Sequence, residues 1–328
     1  MEIYIDRAFL DNFYAKYDAE NDTHRNLRKF LSKANMGKVF LDFEYSTINE
    51  FEKATAENPF LDELVNIKSV TPTSAFKEDC KSVDFYEIGS ASKYFFTEDT
   101  DVQKIERDFG CMAFNSENLE KASFLFSWFL LPISKKNRTP KNWNFLTDFK
   151  HPSNSMVLTD NYLFDYNNEE MKENLIPFLK NLMPDTLSIP FQLTIIGQDT
   201  KKNIDITHKK IEIEKALRSS FGYDINLTII PISVHDRNIF TNYMWIYSGI
   251  GLSIFKVENK NLRLKNNSTL TFLPISYINQ DFKPYYSTQR LNSINFVFST
   301  RNELLNECKS NNRIETSSVG NKKNRLLQ

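Results

Sequence analysis

The sequence predicts an α/β protein of two domains, and three observations predict it. Short β-rich apolar segments alternate with amphipathic helical stretches. A basic, proline-containing stretch over 133–153 interrupts the alternation once. The 328 residues exceed the roughly 100–200 of one ordinary domain. The expected boundaries are a first α/β domain over 1–132, a linker over 133–153, a second α/β domain over 154–308 and a disordered tail over 309–328. The tail carries five basic residues against one acid and has no core pattern.

In the first domain Glu2–Ile5 reads as a strand. Phe9–Tyr17 and His24–Ala34 read as helices from apolar spacings of three and four, the second stopped by Gly37. Val39–Phe43 is a strand and Thr47–Ala56 a helix that Asn58-Pro59 ends. Val83–Ile88 alternates and reads as an edge strand. Tyr94–Thr97 is a buried strand, Val102–Phe109 a helix ending at Gly110, Cys111–Phe114 a strand and Leu119–Leu131 an apolar helix. This order predicts a largely parallel sheet with helices on both faces.

The alternation restarts with a strand and loop over Met156–Leu163. The helix Glu169–Leu182 and the strand Phe191–Ile196 follow. Thr207–Ser220 is a helix, Ile225–Ile232 a strand, and Asn238–Trp245, Leu252–Lys256, Thr269–Ile275 and Asn295–Ser299 later strands. Arg301–Cys308 closes the domain as a helix.

Composition excludes several classes. A net charge of −1 leaves no overall basic field, so any phosphate-binding surface is local. Three cysteines at long spacings form neither a disulfide framework nor a zinc site, and read as buried thiols in a reducing cytoplasm. No apolar run is long enough to span a bilayer, and Met1–Asp6 is no signal peptide, so no integral membrane contact is expected. Walker loop, dinucleotide fingerprint and nucleophile elbow are all missing.

Acids cluster at predicted strand ends in the first domain. Asp6 follows the first strand, Asp42 and Glu44 end the second, and Thr97-Glu98-Asp99 ends a later one, with Asp101 as a spare. Ligands of parallel α/β sheets bind beyond the carboxyl ends of strands. Carboxylates converging there suit Mg2+ or Mn2+. The order of an Asp after the first strand, an internal acid, Thr-x-Asp, a helix, a Gly and a strand resembles PIN-domain nucleases. That resemblance implies Asp6 and Asp99 as metal ligands, Asp42 or Glu44 as the internal acid and Thr97 as the residue that steadies the loop. The competing reading makes these acids helix caps.

The second domain carries His235-Asp236-Arg237, then Asn242 and Gly249, in the spacing His-x-Arg-x4-Asn-x6-Gly. It resembles the His-x-Lys-x4-Asp-x6-Gly signature of phospholipase D-like proteins, most nearly the domain at the C-terminus of MIT-domain proteins. Asp160, in the strand-loop that opens the domain, is a candidate binding residue. The resemblance implies His235 as a nucleophile toward phosphorus and Arg237, in place of Lys, as the cation on the non-bridging oxygens. Asn242 stands where the signature has Asp and lacks its charge. Only one motif is present, so hydrolysis here implies a homodimer; the MIT-associated domains are non-hydrolytic binders.

Three functions follow as expectations. The first is a metal-dependent nuclease on RNA or DNA, with the second domain for docking or dimerisation; its Asn, Lys and Phe richness suggests a bacterial setting such as phage defence. The second is a non-catalytic binding or assembly subunit of a larger complex. The third is a metal-independent phosphodiesterase using His235 in a dimer.

Overall fold

The structure is a computed structural model. It describes residues 1–32, 38–42, 47–66, 70–73, 76–88, 90–136, 140–198, 205–234, 236–259, 261–278, 303, 306, 318–321 and 323–327. The chain is α/β and divides into two compact units. Unit 1 is Met1–Ser127 together with the described residues from Pro274 to Ile278, and unit 2 is Trp128–Leu273 with the described C-terminal residues. Among the described residues no helix is long and apolar enough to cross a membrane.

Unit 1 runs β1 (Glu2–Asp6), α1 (Arg7–Ala15), α2 (Asp22–Ser32), β2 (Lys38–Asp42), α3 (Ile48–Glu57), α4 (Pro59–Val65), β3 (Val70–Thr73), α5 (Phe76–Asp79), α6 (Val83–Glu87), β4 (Lys93–Phe96), α7 (Val102–Phe109), β5 (Met112–Phe114) and a 3-10 helix (Leu119–Phe126). The five strands form one parallel sheet in the order β3-β2-β1-β4-β5. Its centre explains part of the phenylalanine content: Tyr4 of β1 stacks on its register partners Phe40 and Phe95, with centroids 4.8 and 5.0 Å apart. Helix ends follow local chemistry. Asn58 caps α4 with Pro59 in its first turn, and Gly110 ends α7 at φ 60°, the left-handed conformation that glycine tolerates.

Two expectations are corrected here. The Val83–Ile88 segment is the helix α6, not a strand, because Phe85 and Tyr86 both pack inward, on Tyr4 and on Phe109, while Val83 and Ile88 are exposed. The apolar run over 119–131 is not one helix. It breaks after Phe126, and Phe129–Ile133 becomes β6, an edge strand of unit 2 that accommodates Pro132.

Unit 2 continues with a 3-10 helix (Trp143–Phe149), β7 (Ser155–Thr159) and a helical stretch over 168–182 that opens with α8 (Asn168–Glu170) and ends with α9 (Ile176–Leu182). Then come β8 (Phe191–Gly197), α10 (Ile206–Arg218), β9 (Ile225–Pro231), β10 (Arg237–Thr241), β11 (Met244–Ser248), β12 (Phe255–Glu258), β13 (Asn261–Leu264), β14 (Ser268–Pro274), α11 (Ile275–Ile278, returning to unit 1) and β15 (Val319–Gly320). The sheet is mixed, in the order β15-β9-β8-β7-β10-β11-β14-β6, with β7, β8 and β9 parallel. β10 runs antiparallel to both β7 and β11. The expected strand Asn238–Trp245 is therefore a hairpin that turns at Asn242-Tyr243.

The expected linker is folded in its described part. Trp143 is buried against Phe178 and Phe255, with centroids 5.1 and 5.4 Å apart. The expected tail is ordered in its described last residues. Val319–Gly320 pairs with β9, and Asn324 and Arg325 bury their side chains over the start of β7 and β8. Asn324 Nδ2 donates to the Met156 and Gln192 carbonyls, and Arg325 Nη1 to Asn154 and Ser155. Gly37, the strand Asn295–Ser299, most of the helix Arg301–Cys308, and Cys308 lie outside the described residues. Cys80 and Cys111 are buried thiols as expected.

All three tryptophans, Trp128, Trp143 and Trp245, belong to unit 2, so their fluorescence reports that unit alone. Deleting residues 318–328 is expected to lower the urea stability read by this signal by about 3 kcal/mol or more, from the lost buried hydrogen bonds. His151 is buried between the Phe149 carbonyl and Thr241 Oγ1, and burial pushes its imidazole down to about 4. The unfolded chain binds this proton below about 6.5 and the folded chain only near 4, so stability falls between those values, by about 3 kcal/mol at most. Urea midpoints at pH 7 and 4.5 are expected to differ less in His151→Gln than in wild type.

Candidate functional site

At the carboxyl edge of the unit 1 sheet, β1 lies between β2 and β4, and the chain order reverses there. Such a switch point is where open parallel sheets receive ligands. Asp6 ends β1 and is 1% exposed. Its Oδ1 caps α1 by accepting from Phe9 N at 2.7 Å. Its Oδ2 accepts from Thr97 Oγ1 and from the backbone N–H groups of Glu98 and Asp99. The Thr97 hydroxyl in turn accepts from Asp99 N and Thr100 N. Burial pushes the Asp6 carboxyl above the usual range. Hydrogen bonds from Thr97, Phe9 and Asp99 oppose the shift, and the Asp99 charge adds to it.

The structure thus brings Asp6, Thr97 and Asp99 together and sets Asp42 one strand over, in register with Asp6. Glu98 turns to Ser116, whose N and Oγ donate to its carboxylate. Asp101 is a helix cap, accepting from Lys104 N. Glu44 lies outside the described residues. Among the described residues no three His, Cys, Asp or Glu side chains are close enough to hold a metal ion. Asp6, Asp99 and Asp42 are nonetheless hard oxygen donors of the type Mg2+ and Mn2+ take.

Unit 2 has a second constellation at the carboxyl edge of β7 and β8. Thr159 Oγ1 donates to the Asp236 carbonyl and accepts from Asn238 N, and Asn161 Oδ1 accepts from Val234 N. The segment around His235 is thereby tied to the end of β7, while His235 itself lies outside the described residues. Asp160 is fully buried. It accepts from Tyr162 N and Leu252 N, with the Tyr166 hydroxyl at 3.4 Å. Arg237 lays its guanidinium over the ring of Tyr162, 5.5 Å from the centroid, and Tyr162 is half exposed. The buried Nε of Arg237 has no partner among the described residues.

Asn242 is not with Arg237. It sits in the turn at the opposite end of β10, where Oδ1 accepts from Asn154 N and Ser155 N and Nδ2 donates to Asn154 Oδ1. The amide both gives and takes, which an ionised carboxylate cannot. Sequence reasoning missed Tyr162, Tyr166, Thr159 and Asn161; an aromatic two residues after Asp160 was the available signal. No protein-family model matches the chain, and no curated protein matches it.

A Cβ added at Gly251 would stand 2.8 Å from Asp160 Oδ2. Gly251→Ala is therefore expected to destabilise unit 2 by about 1–3 kcal/mol in tryptophan-monitored urea unfolding, through displacement of a buried carboxylate. Gly222→Ala, with open space around it, is the control.

Proposed function

We propose that the chain hydrolyses phosphodiesters of nucleic acid in unit 1, with Mg2+ or Mn2+, as a PIN-like nuclease. The observation that carries the reading is the Asp6 carboxylate at the switch point, gathering the loop that presents Asp99. A divalent cation bound there would activate water and offset charge on the phosphodiester. Asp99 and Asp42 would hold it, with Glu44 as the expected further acid. Asp6 organises the loop through Thr97 and contributes its field, since its lone pairs are largely engaged within the protein.

A second reading rests on Arg237 and gives unit 2 a phosphate-docking role as a phospholipase D-like module. A cation stacked on a half-exposed ring, with a buried donor that has no partner among the described residues, suits a phosphate oxygen. It supports binding without turnover, and hydrolysis at His235 of a homodimer only if cleavage resists chelation.

The test is cleavage of labelled single-stranded RNA and DNA with Mn2+, Mg2+ or EDTA. Cleavage is expected with metal only, reduced at least about 100-fold in Asp99→Asn and retained in His235→Ala. Cleavage that survives EDTA and disappears in His235→Ala would move the chemistry to unit 2. If no metal supports cleavage, salt-sensitive nucleic-acid binding weakened by Arg237→Ala identifies a docking module.

A further inference from the structure

The sheet of unit 2 ends in the two-residue strand β15, and without it β9 would be an open edge. An open edge pairs with an extended peptide of fitting sequence. The described residues Ser318–Asn321 and Lys323–Leu327 form such a peptide, a strap over the amino edge of the unit. Val319 and Gly320 pair antiparallel with Ile229 and Thr228. Gly320 has a φ of 121°, and a Cβ there would stand 2.1 Å from the Leu227 carbonyl oxygen, so only glycine lets the backbone come this close. Farther along, Asn324 Nδ2 donates to the Met156 carbonyl at 3.0 Å, the Gln192 carbonyl at 3.3 Å and Thr194 Oγ1 at 2.9 Å. Arg325 N donates to Gln192 Oε1 at 2.7 Å.

The surface beneath is shaped to receive this strap. Strands buried on both faces are usually apolar throughout. In β8, however, Gln192 and Thr194 alternate with Leu193 and Ile195, and Thr228 of β9 is the register partner of Thr194. Gln192, Thr194 and Thr228 are all buried. Among the described residues their side chains find hydrogen bonds only in the strap: Gln192 with Arg325 N, Thr194 with Asn324 and Thr228 with the Asn321 carbonyl. The hold is polar, since Leu326 is the one apolar residue among the three buried strap residues Asn324, Arg325 and Leu326. Water replaces such bonds when the strap leaves, so the contact is reversible. The covalent tie is also long. Residues 279–317 separate Ile278 from Ser318, a length that spans at most on the order of 130 Å. Chain connection therefore does not dictate whose groove a strap fills.

From this we infer that the amino edge of unit 2 is a peptide-binding groove, and that it takes residues 318–327 of a second copy of this chain in exchange for its own. The pattern it reads is Gly320, then Asn324-Arg325-Leu326. Such exchange of an identical element is a low-cost route to association. It holds under either functional reading.

The test uses two full-chain variants. Asn324→Ala with Arg325→Ala weakens the strap and leaves the groove unaltered; Thr194→Val with Thr228→Val alters the groove and leaves the strap intact. Fluorescein-labelled peptide of residues 318–328 is titrated by anisotropy. The strap variant is expected to bind it at least about tenfold tighter than wild type, whose own strap competes at high effective concentration. A peptide carrying Asn324→Asp, which has no donor for the three acceptors, is expected to bind at least about tenfold more weakly. Light scattering after size exclusion is expected to show a one-to-one complex when the two variants are mixed, and monomers of each alone. Where tryptophan fluorescence shows that the double strap variant is unfolded, full-chain Asn324→Asp takes its place. No peptide binding, equal binding of a scrambled peptide, or no complex in the mixture overturns the groove as a site for a second copy.

Discussion

The Asp6 carboxylate receives four hydrogen bonds while almost entirely removed from water, and the carboxyl edge of unit 1 depends on it. A parallel strand that ends at a helix leaves backbone N–H groups pointing at the same space as those of the neighbouring strand's loop. One carboxylate answers both sets, capping α1 with one oxygen and collecting the β4–α7 loop with the other. Burying it is unfavourable, as the upward shift of its proton affinity shows, and the donors offset that cost. Thr97 is essential to the arrangement because its hydroxyl donates to Asp6 and still accepts from Asp99 and Thr100.

Unit 2 solves the same problem with Asp160, which accepts from one near donor, Tyr162 N, and one distant donor, Leu252 N. Leu252 N lies beyond the β10–β11 hairpin, and Gly251 must be glycine for the backbone to approach the carboxylate. Gly197 is constrained similarly, since a Cβ there would meet the Asp160 carbonyl at 2.5 Å. The loop after β7 and the loop after β11 are therefore fastened to each other through one side chain. Arg237 sits between them, with its guanidinium directed over Tyr162.

How much of this was legible depended on whether the deciding force was local. Helix α7 was readable because Asp101, the apolar spacing of Val102, Ile105 and Phe109, and Gly110 all act within one short segment. The position of Asp6 and Thr97 at strand ends was readable for the same reason, and so was the place of Asp160. The helix α6 was not, because Phe85 and Tyr86 find partners on Tyr4 and Phe109, which are far away in sequence. The break after Phe126 was hidden because Ser127 alone separates two apolar triplets, and no glycine, proline or charge stands beside it. The ordered C-terminal strap was the least readable. Asn324 and Arg325 look like solvated tail residues until the carbonyls of β7 and β8 are placed beneath them.

That strap also explains why the residue after β10 is Asn and not Asp. At the amino edge of unit 2, Asn154 receives a hydrogen bond from Asn242 and lies within reach of Arg325. Its side-chain oxygen must accept, so the partner across the turn must donate, and an amide at 242 does so while its own oxygen takes two backbone N–H groups. A carboxylate would face the Asn154 oxygen with a like dipole and would force the amide to flip away from Arg325. The charge at this edge is carried by the strap and not by the hairpin. Thr241, whose hydroxyl bonds His151 and accepts from Tyr243 N and Met244 N, fixes the same turn from its other side. With the amino edge locked by neutral hydrogen bonds, the other end of β10 is held in place to present Arg237. The amide at 242 therefore bears on how the strand is anchored at this turn.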